Sequence, residues 1–164
     1  MAAKRYIVYA RTLTFLFNAG DVLLIHRSAG AALFPSTYNG VGGHIERGED
    51  ILSAARREVR EETGLTVNDL SLHGLLHIDE GMDRPGVIVF VFAGHAPQRQ
   101  VIDSSEGTLH WIPLERISQV DLLPDLPSLL AHVVMGLRSG SISPFFARST
   151  ISNDPGKWEI HFAR

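Results

Sequence analysis

The apolar and polar positions of the first half of the chain alternate in the way that strands require. In residues 12–17, Leu13, Phe15 and Phe17 alternate with threonines, which is the period of a half-buried strand. A turn over 18–21 and an apolar run over 22–25 predict a second strand that pairs back on the first. Further apolar runs predict strands over 70–78, 87–92 and 109–113.

Two segments have helical spacing instead. Residues 50–63 carry a stripe of apolar side chains and end before Gly64, which stands where a helix C-cap is expected. Residues 126–137 form a second helix that follows two prolines. Before the first helix, residues 28–43 are predicted to form a loop. After the second helix, 144–151 and 158–162 are predicted to form a hairpin closed by a turn over 153–156. We therefore predict a single α/β domain over 1–164, with helices packed on a mixed sheet and a C-terminal helix and hairpin over 126–163.

Composition narrows the function classes. The net charge of −3 and pI near 6.2 do not suit a protein that grips a nucleic-acid polymer. The absence of cysteine excludes zinc–thiolate sites, iron–sulfur clusters and thiol nucleophiles. No apolar run approaches the length of a membrane helix, and the N-terminus has no clean signal sequence, so we expect a cytoplasmic protein, monomeric or homodimeric.

Three glutamates mark the first helix as the segment that carries chemistry. Glu58, Glu61 and Glu62 fall within an arc of about 100° on one helix face, where like charges repel and the helix dipole disfavours anions. A bound cation would compensate both penalties, and three carboxylates suit Mg²⁺ or Mn²⁺. Taken alone, the cluster also fits a solvated acidic face with neighbouring arginines, and that is the commoner case.

The surrounding residues decide between these interpretations. The segment 43–65 has a matching residue at every fixed position of the Nudix box, so the chain resembles the Nudix hydrolase family. The matching residues are Gly43, Glu49, Arg57–Glu58, Val59, Glu61–Glu62, Gly64 and Leu65. The resemblance implies a Nudix-type α/β/α sandwich. It also implies that the Gly43 carbonyl and the carboxylates of Glu58, Glu61 and Glu62 hold Mg²⁺ against a diphosphate.

The resemblance assigns further roles to residues in and beyond the box. Arg57 and Glu49 correspond to a structural pair that orients it, and Gly64 closes the helix. Family members take their general base either from a box glutamate or from a carboxylate on a later loop, for which Glu106 is the candidate here.

Shorter motifs resemble the MutT-like branch that hydrolyses oxidised purine nucleoside triphosphates. Tyr38–Gly43 and His44 look like its aromatic-Asn-Gly-x-Gly-Gly-basic run, which places Asn39 as the base-reading amide. Asp125 matches an acid that contacts the base when protonated. The branch's tryptophans are replaced by Tyr38 and Leu123, and a second acid by Leu126, so the match does not fix selectivity for an oxidised base.

The sequence therefore predicts an Mg²⁺-dependent pyrophosphohydrolase acting on a small-molecule nucleoside triphosphate, with an oxidised purine as one candidate. His44 and Arg27 are candidate phosphate contacts, although Arg27 equally suits a surface salt bridge. Two alternatives stay open: a hydrolase of another nucleoside diphosphate derivative, such as ADP-ribose, a nucleotide sugar or a dinucleotide, and a non-catalytic nucleotide-binding domain.

Overall fold

One mixed sheet forms the centre of the molecule. The computed structural model describes residues 5–31, 34–81, 84–140, 143–151 and 158–163, so the predicted turn over 153–156 lies outside the described residues. Within them the strands are β1 (Val8–Asn18), β2 (Asp21–Arg27), β3 (Tyr38–Asn39), β4 (Ser71–Asp79), β5 (Gly86–His95), β6 (Gly107–Pro113), β7 (Phe145–Ile151) and β8 (Trp158–Phe162).

The strand order is β3-β2-β1-β5-β4-β7-β8, and β6 pairs with β2. β1 runs parallel to β5 and β4 parallel to β7, whereas the pairs β1–β2, β4–β5 and β7–β8 are antiparallel. The sheet is therefore mixed, as predicted. β1 starts earlier than its alternation indicates, because the register from Val8 opposite Gly86 onward gives its polar beginning backbone partners in β5.

Helices cover the sheet on both faces. Helix α1 (Ile51–Thr63) packs Ala55 and Val59 against one face, and α2 (Leu126–Ser139) packs Leu126 and Leu129 against the other. A 3₁₀ helix over Leu114–Gln119, which the sequence pattern did not indicate, precedes α2. This arrangement confirms the predicted α/β/α sandwich. No helix in the described part of the chain is long and apolar enough to cross a membrane.

Burial of β1 differs from the expectation of a half-buried strand. Thr12 and Thr14 are as inaccessible as the apolar residues between which they alternate. Because α1 and α2 lie on opposite faces, a central strand has no solvent side. The small hydroxyl side chains of β1 are therefore enclosed, and this matters for the site below.

Candidate active site

Helix α1 is fixed at both ends by its own sequence. The Asp50 carboxylate accepts hydrogen bonds from the backbone N–H groups of Leu52 and Ser53, both at 2.9 Å, so it caps the N-terminus. At the other end Gly64 adopts φ 74° and its N–H donates to the Arg60 carbonyl at 2.9 Å. The caps therefore fix where the helix that carries the glutamates begins and ends.

Arg57 gathers the acidic groups and the loop before the helix. Its Nη2 and Nε donate to Glu49 at 2.7 and 3.1 Å, and its Nη1 donates to Glu58 at 2.9 Å and to Glu61 at 3.1 Å. Nη2 also donates to the His44 carbonyl at 3.0 Å. The bond to Arg57 lowers the pKa of Glu49, and the bond to Glu49 raises the pKa of Arg57 further. The structure thus brings together the pair that the motif implies.

Glu62 is the buried member of the acidic cluster, with 5% of its surface exposed. Its Oε2 accepts a hydrogen bond from the Gly42 N–H at 2.8 Å. Burial raises the pKa of Glu62 to about 8, and the nearby negative charges of Glu106 and Glu58 add to this, while the Gly42 bond opposes it. Glu106, an exposed loop residue, therefore lies beside the box as the sequence analysis anticipated.

Gly43 allows the loop and the helix to approach each other. A Cβ at this position would collide with the carboxylate of Glu58, so a side chain there would displace that carboxylate. The Gly43 carbonyl, which the family motif assigns to metal binding, accepts a hydrogen bond from the Thr12 N–H at 2.9 Å.

The donor set fits a hard divalent cation. The carboxyl groups of Glu58 and Glu106 lie near that of Glu62, and all the donor atoms that they offer are oxygen. Glu61, whose side chain is 55% exposed, points to Arg57 instead. Among the described residues no three His, Asp or Glu side chains are already arranged to hold a metal ion, and Arg57 pairs with the carboxylates of Glu58 and Glu61. A cation at this point would therefore take over carboxylates that Arg57 now holds.

A cavity of about 160 Å³ opens beside this cluster. Its wall includes three residues predicted to bind substrate, Arg27, Asn39 and Asp125, together with Gly42. The remaining lining residues are Arg11, Thr12, Leu13, Phe34, Leu76, Ile78, Glu80, Val87, Val89, Leu123, Leu129 and Trp158. The site is mostly apolar with a few polar groups, which is typical of a pocket for a small organic ligand.

Three polar groups of the cavity wall have either a raised pKa or no hydrogen-bond partner in the described residues. Burial raises the pKa of Asp125 to about 6, so its carboxyl is protonated in mildly acidic solution and can then donate a hydrogen bond. Thr12 Oγ1 and Arg27 Nε are buried, and no group in the described residues bonds to either. Buried donors without partners carry a desolvation penalty that a polar ligand would remove.

Two predicted substrate contacts lie elsewhere. Tyr38 does not line the cavity, because its ring packs on His26 at 4.7 Å between ring centroids and on His110 at 5.7 Å. His44 is exposed and contributes its backbone to the Arg57 network. Adjacent residues of an extended segment point to opposite sides, and Tyr38 and Asn39 follow that rule.

Sequence reasoning missed several residues that line the cavity: Arg11, Thr12, Phe34, Glu80 and Trp158. From the sequence alone, Trp158 is interpreted as a core residue. The alternation of β8 places Trp158 on the same face as Ile160 and Phe162. It does not show that Ile160 and Phe162 pack against the core while Trp158 lies at the cavity.

The protein is an α/β/α sandwich in which one helix carries carboxylates bonded to an arginine and lies next to a cavity for a small organic ligand. These features are those of the Nudix hydrolase class. The family model described as NUDIX domain matches residues 9–133, and the chain belongs to the Nudix family. The oxidized purine nucleoside triphosphate hydrolase of Mus musculus is 33% identical over 116 residues, covering 70% of this chain and 72% of that protein.

A bacterial relative and a solved structure extend the comparison at lower sequence identity. The NAD-capped RNA hydrolase NudC of Pseudomonas aeruginosa is 28% identical over 145 residues, which cover 81% of this chain and 46% of that protein. Among solved structures, the MutT protein of Bacillus halodurans superposes with a TM-score of 0.78 at 22% identity, over 94% of this chain and 97% of that one. The structural likeness supports the fold, and the sequence matches support a Nudix hydrolase of MutT-like type.

Proposed function

We propose that this Nudix hydrolase is a divalent-metal-dependent pyrophosphohydrolase that converts a purine nucleoside triphosphate and water into the nucleoside monophosphate and pyrophosphate. One observation carries the proposal: Gly42 lines the cavity and its N–H donates to Glu62 at 2.8 Å. The ligand pocket and the acidic cluster therefore share a wall. A nucleotide whose base occupies the cavity would have its phosphates near the carboxylates.

The carboxylates of Glu58, Glu61 and Glu62 and the carbonyl of Gly43 would hold Mg²⁺, or Mn²⁺ in its place. When bound, the ion neutralises charge on the phosphoryl oxygens and lowers the pKa of water. Arg57 orients these groups through the bonds described above. Water attacks phosphorus and the phosphoanhydride bond breaks, while Glu106 or a box glutamate takes the proton of the water.

The base end of the site is made of Asn39, Asp125 and Thr12, set in aliphatic side chains. An amide, a carboxyl that retains its proton to about pH 6 and a hydroxyl supply both donors and acceptors, as the edge of a purine requires. The similarity to the mouse hydrolase of oxidised purine nucleotides supports an oxidised purine as the substrate base. Derivatives such as ADP-ribose or a dinucleotide share the diphosphate and are the second candidate class.

A nucleotide panel with Mg²⁺ tests the proposal. Canonical and oxidised purine triphosphates, pyrimidine triphosphates, ADP-ribose and dinucleotides are compared by kcat/KM, with pyrophosphate and phosphate release scored separately. We expect the highest kcat/KM for a purine triphosphate and stoichiometric pyrophosphate. Preferred hydrolysis of ADP-ribose or a dinucleotide would replace our substrate class with the second one, and no turnover of any compound would contradict the proposal.

Replacing Asn39 by alanine is expected to raise KM for purine triphosphates about 10-fold, since one base hydrogen bond is lost. The Asn39 Oδ1 accepts a hydrogen bond from the adjacent Gly40 N–H, and within the described ranges no side-chain hydrogen bond joins Asn39 to a distant segment. The thermal midpoint should therefore stay close to that of the wild type. An unchanged ratio of kcat/KM between purine and pyrimidine substrates would remove Asn39 from the base site.

Asp125 gives the site a pH dependence with a defined sign. Its folded pKa of about 6 lies above the usual value near 4, so the native state retains a proton that the unfolded chain has lost. The contribution of Asp125 to the free energy of unfolding therefore falls between about pH 4 and pH 6 and stays low above that range. Asp125→Asn, which cannot ionise, should be more stable than the wild type at pH 8 by about 1–2 kcal/mol and equal to it at pH 4.

Urea unfolding of both proteins at the two pH values measures this difference. Glu80, Arg11 and Arg27 also line the cavity, and they are the same in both proteins, so the comparison isolates the change at Asp125. A stability difference that does not change between pH 4 and pH 8 would contradict a raised pKa at Asp125.

A further inference from the structure

An aromatic pair closes one side of the cavity. The rings of Phe34 and Trp158 meet edge to face, with 5.5 Å between centroids and 71° between planes. Both side chains line the cavity, and the other lining residues within the described ranges are aliphatic, polar or charged. The pair therefore provides the aromatic surface that a ligand in this cavity can contact.

The two residues come from opposite ends of the sheet. Phe34 lies in the connection between β2 and β3, and Trp158 is the first residue of β8, on the far side of β1, β5, β4 and β7. Leu76, Ile78, Val87 and Val89 of the central strands β4 and β5 line the cavity between them. The pair thus brings a residue from each end of the strand order into contact at the cavity wall.

Alternation along β8 explains the position of Trp158. Ile160 and Phe162 pack into the core beneath α2, and Phe162 stacks on His132 of that helix at 3.6 Å between centroids. Trp158 continues the same side-chain stripe and contributes to the cavity wall. Trp158 contacts Phe34 and also lines the cavity, so part of its indole is accessible to a ligand.

Phe34 is held in an unfavourable backbone conformation. Its φ is 48° and that of Ser36 is 59°, in the left-handed region that costs a non-glycine residue about 1 kcal/mol. The Thr37 hydroxyl donates to the Phe34 carbonyl at 2.8 Å and keeps this turn closed. In this turn the Phe34 ring contacts Trp158 and lines the cavity.

We propose that Phe34 and Trp158 form a stacking platform for the heterocyclic base of the substrate and make the site selective for purines. This inference rests on the proposed function, because it takes the cavity to be the base pocket. A bicyclic purine covers more of an aromatic face than a pyrimidine does, and base–aromatic stacking contributes about 1–3 kcal/mol per base. The terminal hairpin is then part of the substrate site.

The chain contains two tryptophans, which gives the test an internal control. Trp111 lies in the other core cluster, where its Nε1 donates to the Arg99 carbonyl at 2.9 Å and the Arg99 guanidinium lies over its ring. Trp111→Phe leaves Trp158 as the sole tryptophan, and Trp158→Phe leaves Trp111. Each variant is titrated with GMP and with CMP, which contain no phosphoanhydride bond, and tryptophan fluorescence is recorded.

We expect GMP to quench the fluorescence of Trp111→Phe in a saturable manner, CMP to bind more weakly, and neither to change the fluorescence of Trp158→Phe. In hydrolysis assays Trp158→Leu should raise KM for purine triphosphates about 10- to 100-fold with a smaller change in kcat, and Trp158→Phe should retain most of the affinity. Phe34→Leu should raise KM in the same direction, and it replaces Trp158→Leu if circular dichroism shows that variant to be unfolded.

The two levels of the proposal fail separately. If nucleotides are hydrolysed but GMP leaves the fluorescence of Trp111→Phe unchanged and the leucine variants keep the wild-type KM, the stacking platform is wrong and the proposed function stands. If GMP quenches Trp158 but nothing in the nucleotide panel is hydrolysed, the platform stands and the proposed function is wrong. Equal quenching by GMP and CMP with equal affinity would overturn the purine selectivity.

Discussion

Glu62→Gln is expected to lower Mg²⁺-dependent turnover of nucleoside triphosphate by about 100-fold or more. The substitution removes a negative charge from the donor set, while an amide oxygen can still accept the hydrogen bond from the Gly42 N–H. Because the buried carboxylate has like charges for neighbours, its loss should not destabilise the metal-free protein. Steady-state kinetics over a range of Mg²⁺ concentrations, with thermal unfolding in parallel, measures both effects.

The matched control is Glu115→Gln, which makes the same change at an exposed position of the 3₁₀ helix. It should retain wild-type kinetics. A Glu62→Gln enzyme with wild-type kcat and the wild-type Mg²⁺ dependence would show that the cation does not depend on this carboxylate, and the assignment of the metal site would have to be abandoned.

The second large effect is expected at Arg57. Arg57→Ala removes the group that joins Glu49, Glu58 and Glu61, so kcat should fall about 10- to 100-fold and the free energy of unfolding by about 2 kcal/mol. Lysine should restore little of this, since an ammonium group cannot make the two parallel bonds that Nε and Nη2 make to Glu49. The measurements are kcat, KM and urea unfolding of Arg57→Ala and Arg57→Lys.

Arg56→Ala serves as the control on the adjacent residue. Its guanidinium bonds to the Asn68 carbonyl, away from the carboxylates. This variant should keep wild-type kcat even if its stability falls. Full rescue of kcat by Arg57→Lys would mean that a positive charge suffices, and the bracing role that we assign to the guanidinium geometry would be incorrect.

Much of the catalytic segment was predictable because it is local. Residues 43–65 are contiguous, and the caps at Asp50 and Gly64 are short-range interactions, so the bounds of α1 follow from the pattern almost residue by residue. The same holds for β8 and for the start of α2, where prolines and alternation provide clear signals. Local patterns report local hydrogen bonding, and they do so reliably.

Differences among the three box glutamates were not predictable. In sequence Glu58, Glu61 and Glu62 are equivalent members of one helix face, yet Glu62 is buried while Glu61 is largely exposed. The rotation of α1 against the sheet decides this, and it depends on packing with residues far away in the chain. The burial of Glu62 and the proximity of Glu106, which both raise the pKa of Glu62, have the same origin.

The amino-acid sequence by itself determined the family, the α/β/α architecture and the acidic helix, because each is encoded in contiguous spacing or in periodicity. Only the tertiary structure decided which side chains share the cavity. Asn39 and Asp125 meet there as the motifs suggested, Tyr38 is directed elsewhere, and Phe34 and Trp158 join from opposite edges of the sheet. A pocket is assembled by strand order and packing, which bring together residues separated by more than a hundred positions, and no local pattern carries that information.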